Sequence, residues 1–336
     1  MKNNILYEDE TLICIHQPGD RKEAMIVTFS EMLMRPTADL RNWAGTPIAK
    51  LGFSAIGFVA KTPNWFPKTS VLNALIIAKP YLDAQEKRIG YGYSMGGWAT
   101  LYYATDLRLH ASIAFSPQYS INPDEIDDPR YVRFFDPSLN HDMSIKTKNN
   151  EGIKIIACDP NEKGDWESAL KITNQLKEPP VKLPFTGHGS VHCITKTETL
   201  GTIFDAVLSN DRDSAIKTIK KSRRLAHVRP MHVASKAAPR RPNLAFSIYL
   251  KYKNHFPQHN RPDFLSRFQR TTLQRACFIE MAELYETQKN SHRYLSVLAI
   301  FLNNIGKSKS ALSCIERAIK MHDNPAYRHI YNKIKN

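Results

Sequence analysis

Short apolar runs alternate with amphipathic stretches along the first two hundred residues, and this alternation predicts the elements. Residues 5–7 and 12–16 read as an initial hairpin; residues 25–29, 53–60, 88–93, 111–115, 153–158 and 182–185 read as six further strands. Helical patterns lie between most of them. Such βαβ units build a mainly parallel sheet, an α/β class, whose ligands bind beyond the carboxyl ends of the strands. Residues 119–150 interrupt the pattern: the segment is polar, with Pro123, Pro129 and Pro137 among Asp124, Glu125, Asp127 and Asp128. It reads either as a cap inserted over a site or as a solvated excursion.

The chemistry is concentrated at predicted strand ends. Gly92-Tyr93-Ser94-Met95-Gly96 begins in the last two residues of the 88–93 strand and precedes an apolar helical run, Trp98 to Ala104. A G-x-S-x-G turn between strand and helix presents a serine on a sharp bend, and its glycines leave room for neighbouring backbone. By itself the pattern is weak. Ser94 becomes a candidate nucleophile because a histidine and an acid follow in the order Ser, Asp, His. His188 stands in Thr186-Gly187-His188-Gly189-Ser190, just after the last predicted strand, where it can relay the serine proton. His192 is a lesser competitor, expected inside a helix over 191–208.

Two acids after the 153–158 strand compete to orient that histidine. Asp159 stands at the strand end before Pro160, where a structural turn is the competing reading. Asp165 precedes Trp166-Glu167-Ser168 and could equally cap a helix. Asp165 is favoured because it lies deeper in the loop and can reach sideways to His188; Asp159 is the alternative. Trp65 and Tyr93 are candidate substrate-binding residues, with core packing as the competing reading for Trp65 and Phe66.

With Ser94, a later acid and His188 in this order, the first two hundred residues resemble the α/β-hydrolase family. More narrowly, Asn64-Trp65-Phe66, Ser94-Met95-Gly96-Gly97, Ala114-Phe115-Ser116-Pro117-Gln118 and Gly187-His188-Gly189 are similar to bacterial hydrolase-like proteins with a helical, tetratricopeptide-like C-terminal extension. Some of those proteins are linked to surface polysaccharide. The resemblance implies an oxyanion hole of two backbone amides, one from Met95 and one from the loop after the 25–29 strand, at Ser30 or Glu31. The sequence has no H-G-G-G loop of the kind found in lipases.

Beyond Leu208 no strand-like run appears. Residues 211–225 read as a basic helix, and Leu295, Leu298, Ala299, Leu302, Ala311, Ile315 and Ala318 match the spacing of a tetratricopeptide helix pair. Val233, Ala245, Tyr249 and Tyr252 suggest a related pair; Ala245 and Ala311 are 66 residues apart, close to two repeats of about 34. Residues 264–286 fit that period poorly, and an ordinary helical appendage is the competing reading. The expected organisation is a hydrolase domain over 1–208 and a basic, repeat-like helical domain over 209–336.

Charge follows this division. The net charge is +15, yet residues 1–200 hold 22 Lys and Arg against 23 Asp and Glu, while residues 201–336 hold 25 against 9. The first part therefore accommodates an uncharged substrate, and the tail suits an acidic protein or anionic polymer. Without a recognised reader motif, nucleic acid is a poor candidate partner for runs such as Lys220-Lys221 and Arg223-Arg224. Five cysteines without paired spacing argue against a disulfide framework or a zinc site; Cys193, near His188, is the thiol singled out for reactivity. No cofactor is expected. No apolar run approaches the ~18 residues of a membrane span, and Met1-Lys2-Asn3-Asn4 followed by Glu8-Asp9-Glu10 does not read as a signal peptide, so a cytoplasmic location is expected.

The leading function is thus a serine esterase acting on a small ester or an acylated glycan through an acyl-enzyme. An acyltransferase using the same residues is the alternative. From another class, the chain could be a non-catalytic interaction protein whose basic tail recruits an acidic partner.

Overall fold

The computed structural model describes residues 2–147, 152–268 and 272–335. Eight strands form one sheet: β1 (Asn4–Glu8), β2 (Leu12–Gln17), β3 (Arg21–Phe29), β4 (Phe53–Ala60), β5 (Lys87–Tyr93), β6 (Ala111–Phe115), β7 (Ile153–Cys158) and β8 (Val181–Lys182). Their order is β1-β2-β4-β3-β5-β6-β7-β8. β2 runs antiparallel to both neighbours and every other pairing is parallel. This order, with its single reversed strand, is that of the α/β-hydrolase fold.

Among the described residues six helices flank the sheet: α1 (Gly45–Lys50), α2 (Lys68–Asp83), α3 (Met95–Tyr102), α4 (Lys163–Leu176), α5 (Thr197–Leu208) and α6 (Arg212–Ser222). Strand side chains alternate between faces, and the apolar runs supply both. Met25, Val27 and Phe29 pack with Val71, Trp98 and Ile172 on one face, and Ala24 and Ile26 pack with Ile48, Phe204 and Ile219 on the other. Strands buried on both faces read as continuous hydrophobic runs, which is why β4, β6 and β7 were legible from residue type alone.

Three local expectations change. The last strand is only two residues long, and beyond it Phe185 takes a left-handed φ of 68°. His192 lies in a single tight turn, Ser190–Cys193, ahead of α5. The 119–150 segment is no solvated excursion over its described part, residues 119–147; residues 148–150 lie outside the described residues. Ile121, Tyr131, Met143 and Ile145 are buried in the core around α3, and Ile126 is buried as well. Trp98 Nε1 donates to Met143 O (2.9 Å), and Asn140 Nδ2 donates to Asn64 O (3.0 Å).

The chain divides into two compact units, Met1–His227 and Val228–Asn336. The first runs past the boundary expected after Leu208, because α6 buries Ala215 and Ile219 in the sheet core. The second is helical: α7 (Arg229–Ala237), α8 (Pro242–Tyr252), α9 (Arg261–Ser266), α10 (Gln274–Glu283), α11 (Tyr285–Gln288), α12 (His292–Asn304), α13 (Ser308–Met321) and α14 (Pro325–Lys335). α12 and α13 form a hairpin that turns at Gly306, whose φ of 78° suits a residue without Cβ. Leu295, Leu298, Ala299, Leu302, Ala311, Ile315 and Ala318 lie in its core. Among the described residues no helix is long and apolar enough to cross a membrane.

Candidate active site

Ser94 sits between β5 and α3 at φ 53°, ψ −124°, a conformation that L-residues adopt only under strain. The surrounding backbone compels it. A Cβ on Gly92 would lie 2.3 Å from Gly96 O, and one on Gly96 would lie 2.2 Å from Phe29 O, so both positions require glycine. The turn is 4% exposed at Ser94 and aims the hydroxyl toward the loop after β8.

There Ser94 Oγ lies 3.0 Å from His188 Nε2, and His188 Nδ1 lies 2.8 Å from Asp165 Oδ2. Asp165 is on the first turn of α4, not in the preceding loop, and is 1% exposed. It does not cap the helix, whose flanking residue is Glu162. Burial pushes its carboxyl up, but the hydrogen bond and charge of His188, together with Arg130, outweigh this and hold it below its ordinary value. An ionised carboxylate only accepts, so Nδ1 carries the imidazole proton and Nε2 is left as the acceptor facing Ser94.

Asp159, the alternative acid, does not meet the imidazole. Its Oδ2 accepts from the amides of Thr186 and Gly187, both at 2.8 Å, and its Oδ1 accepts from the Asn161 amide and Nδ2, both at 2.9 Å. A carboxylate at the end of β7 thereby ties down the loop that carries His188. His192 is exposed, and its ring meets Tyr93 at 5.9 Å.

Ser30, expected as an oxyanion donor, has no free amide to offer. Its amide is already given to Phe58 O (2.9 Å) and its Oγ accepts from the Ala60 amide (3.0 Å), which clasps β3 to β4. The neighbouring Glu31 amide and the Met95 amide at the start of α3 have no hydrogen-bond partner among the described residues. Of the two substrate-binding candidates, Tyr93 packs its ring 5.3 Å from that of His188. Trp65 is fully buried, against Tyr131 (5.5 Å) and Phe134 (5.7 Å), so it supports the covering segment instead of facing a ligand. Cys193 does not have the reactivity expected of it, since burial pushes its thiol up to about 11 and away from the reactive thiolate.

Three residues here were given no role by the sequence, although Gln118 closes one of the motifs that carry the resemblance. Tyr131 Oη lies 3.2 Å from His188 Nε2, Gln118 Nε2 donates to Ser94 Oγ at 3.3 Å, and Arg130 Nη1 donates to Asp165 Oδ1 at 2.8 Å. Only the cap reading of the 119–150 segment pointed toward Arg130 and Tyr131.

No protein family and no curated protein matches this sequence. Among solved structures, the chain is similar to a capsule O-acetyltransferase of Neisseria meningitidis serogroup A, at 13% identity over 59% of this chain and 93% of that one, TM-score 0.44. Est1E from Butyrivibrio proteoclasticus is 13% identical over 65% of this chain and 99% of that one, TM-score 0.41. A proline iminopeptidase-related protein from Thermus thermophilus is 10% identical over 66% and 100%, TM-score 0.39. These likenesses are distant, and the fold assignment rests on the sheet order.

Proposed function

We propose that the protein is a serine hydrolase that cleaves esters through an acyl-enzyme on Ser94. The observation that carries this reading is the continuous contact from Ser94 Oγ through His188 to Asp165, set on a strained turn whose glycines cannot be replaced without displacing backbone. Ser94 attacks the carbonyl carbon while His188 Nε2 takes its proton and later returns it to the leaving alcohol. Asp165 fixes the tautomer and stabilises the imidazolium. The amides of Met95 and Glu31 receive the negative charge that develops on the carbonyl oxygen. In the resting arrangement the Tyr131 hydroxyl shares Nε2 with Ser94, so substrate entry displaces that contact.

A fluorophosphonate probe tests the reading, because it labels only an activated serine. Ser94→Ala and His188→Ala should each abolish labelling while leaving the fold intact; undiminished labelling of Ser94→Ala would refute it. Product analysis with an added alcohol, as free acid or as new ester, separates hydrolysis from acyl transfer. For the second unit, we infer a tetratricopeptide-like module that docks an acidic partner, a reading supported by its helix hairpin and by 19 basic residues against 6 acidic ones over 228–336.

A further inference from the structure

We propose that Arg130 is a positioning residue for the Ser94–His188–Asp165 relay: its guanidinium holds the second oxygen of Asp165 and thereby sets the pH at which His188 accepts a proton. The inference rests on the function proposed above and adds to it a part that a serine, a histidine and an acid do not by themselves require.

One buried carboxylate lies between two partners. Asp165 Oδ2 accepts from His188 Nδ1, and Asp165 Oδ1 accepts from Arg130 Nη1, both at 2.8 Å. The guanidinium is itself fixed. Its Nε donates to Asp128 Oδ1 (2.8 Å) and its Nη2 to Asp128 Oδ2 (2.7 Å), a bidentate pair on a carboxylate that is 5% exposed. It also lies 5.0 Å from the centre of the Tyr131 ring. The start of α4 is shaped to receive this pair: a Cβ on Gly164 would come within 2.4 Å of Arg130 Nη2 and 2.9 Å of Asp128 Oδ2. The 119–147 segment thus reaches both ends of the relay with adjacent residues, Arg130 at the acid and Tyr131 at Nε2.

The other ionisable groups around the pair do not duplicate this cation. From β5, Tyr93 is pushed up by burial, as are Cys158 at the end of β7 and Tyr131, the last to about 12, so all three stay neutral. Asp159 is bound to loop amides, Glu31 accepts from the Leu33 amide, and the exposed His192 ring lies 5.9 Å from that of Tyr93. A cation across the carboxylate disfavours the imidazolium, so its removal lets His188 hold a proton to higher pH.

The experiment uses the full chain and two readouts: the midpoint of the His188 imidazole titration by NMR, and the pH profile of fluorophosphonate labelling at Ser94. In Arg130→Gln the midpoint should rise by about one pH unit, with the acid limb of labelling moving equally. Labelling near pH 6 should then fall about tenfold, and near pH 9 less than about threefold. Arg130→Lys should return the midpoint to within about 0.3 unit of the original. Because Arg130→Gln strands the Asp128 carboxylate, Arg130→Gln/Asp128→Asn compared with Asp128→Asn alone isolates the guanidinium and should show the same direction of shift. A midpoint unmoved in that comparison, or a loss of labelling equal at every pH, would overturn the proposal. An original protein that does not label at Ser94 would instead defeat the esterase reading, while the NMR midpoint still reports on Arg130.

Discussion

Asp159 and Asp165 are two buried carboxylates six residues apart whose partners differ in kind. Asp159 accepts from two loop amides and from Asn161, and Asp165 accepts from an imidazole and a guanidinium. Their substitutions should separate accordingly. Asp165→Asn should reduce turnover of p-nitrophenyl acetate on the order of 10⁴-fold, since the wrong imidazole tautomer is then favoured, with a small change in melting temperature. Asp159→Asn should destabilise by about 1–3 kcal/mol, because an NH2 group replaces one carboxylate oxygen and leaves either the Thr186 and Gly187 amides or the two Asn161 donors without an acceptor in a buried site. Turnover and thermal unfolding of the two variants check this. A larger activity loss in Asp159→Asn would exchange the two roles.

At the scale of elements, the strand-turn-helix of β5, Ser94 and α3 is held by backbone contacts on both sides. Gly96 abuts the end of β3 at Phe29 O, and Gly92 abuts Gly96 O and Thr100 Oγ1. The same approach brings Ser30 O within 3.1 Å of where a Gly96 Cβ would stand. A side chain at either glycine must move backbone, not a flexible side-chain end. Gly96→Ala should therefore cost about 1–3 kcal/mol by overpacking and also abolish Ser94 labelling, because α3 shifts relative to β3. Chemical denaturation together with probe labelling measures both effects. Retained labelling at full stability would show that the turn has slack which the contacts deny.

For the whole molecule, the unit boundary determines where the chain can be cut. A fragment ending at Leu208 lacks α6, leaving the sheet face that packs Ala215 and Ile219 open to water, and should aggregate. A fragment ending at His227 retains that cover and should stay monodisperse and label at Ser94. Light scattering and labelling distinguish the two. The charge divides at the same place, since residues 1–227 hold 28 basic against 26 acidic residues and residues 228–336 hold 19 against 6. The 228–336 fragment should therefore bind heparin weakly at high salt and strongly at low salt, as screening over roughly 8–10 Å predicts for exposed charges. Salt-independent binding would point to a contact other than charge.

The strands β4, β6 and β7, the turn at Ser94 and the loop histidine were legible in the sequence, because each depends on residues adjacent along the chain. An apolar run buried on both faces needs only its own composition, and the turn needs glycines two positions to either side of the serine. What the sequence left open depends on distant partners. Two aspartates on one connection are equivalent as letters, and only the packing of α4 against the loop after β8 brings Asp165 and not Asp159 to the imidazole. Ser30 loses its amide to Phe58, a residue on the neighbouring strand 28 positions away. Arg130 sits 35 positions from the acid it holds, in a proline-bearing polar segment whose composition resembles a solvated loop. The tertiary structure decided these because hydrogen-bond capacity is finite: an amide or carboxylate oxygen engaged by one partner is no longer free for another, and only the fold determines which partner arrives.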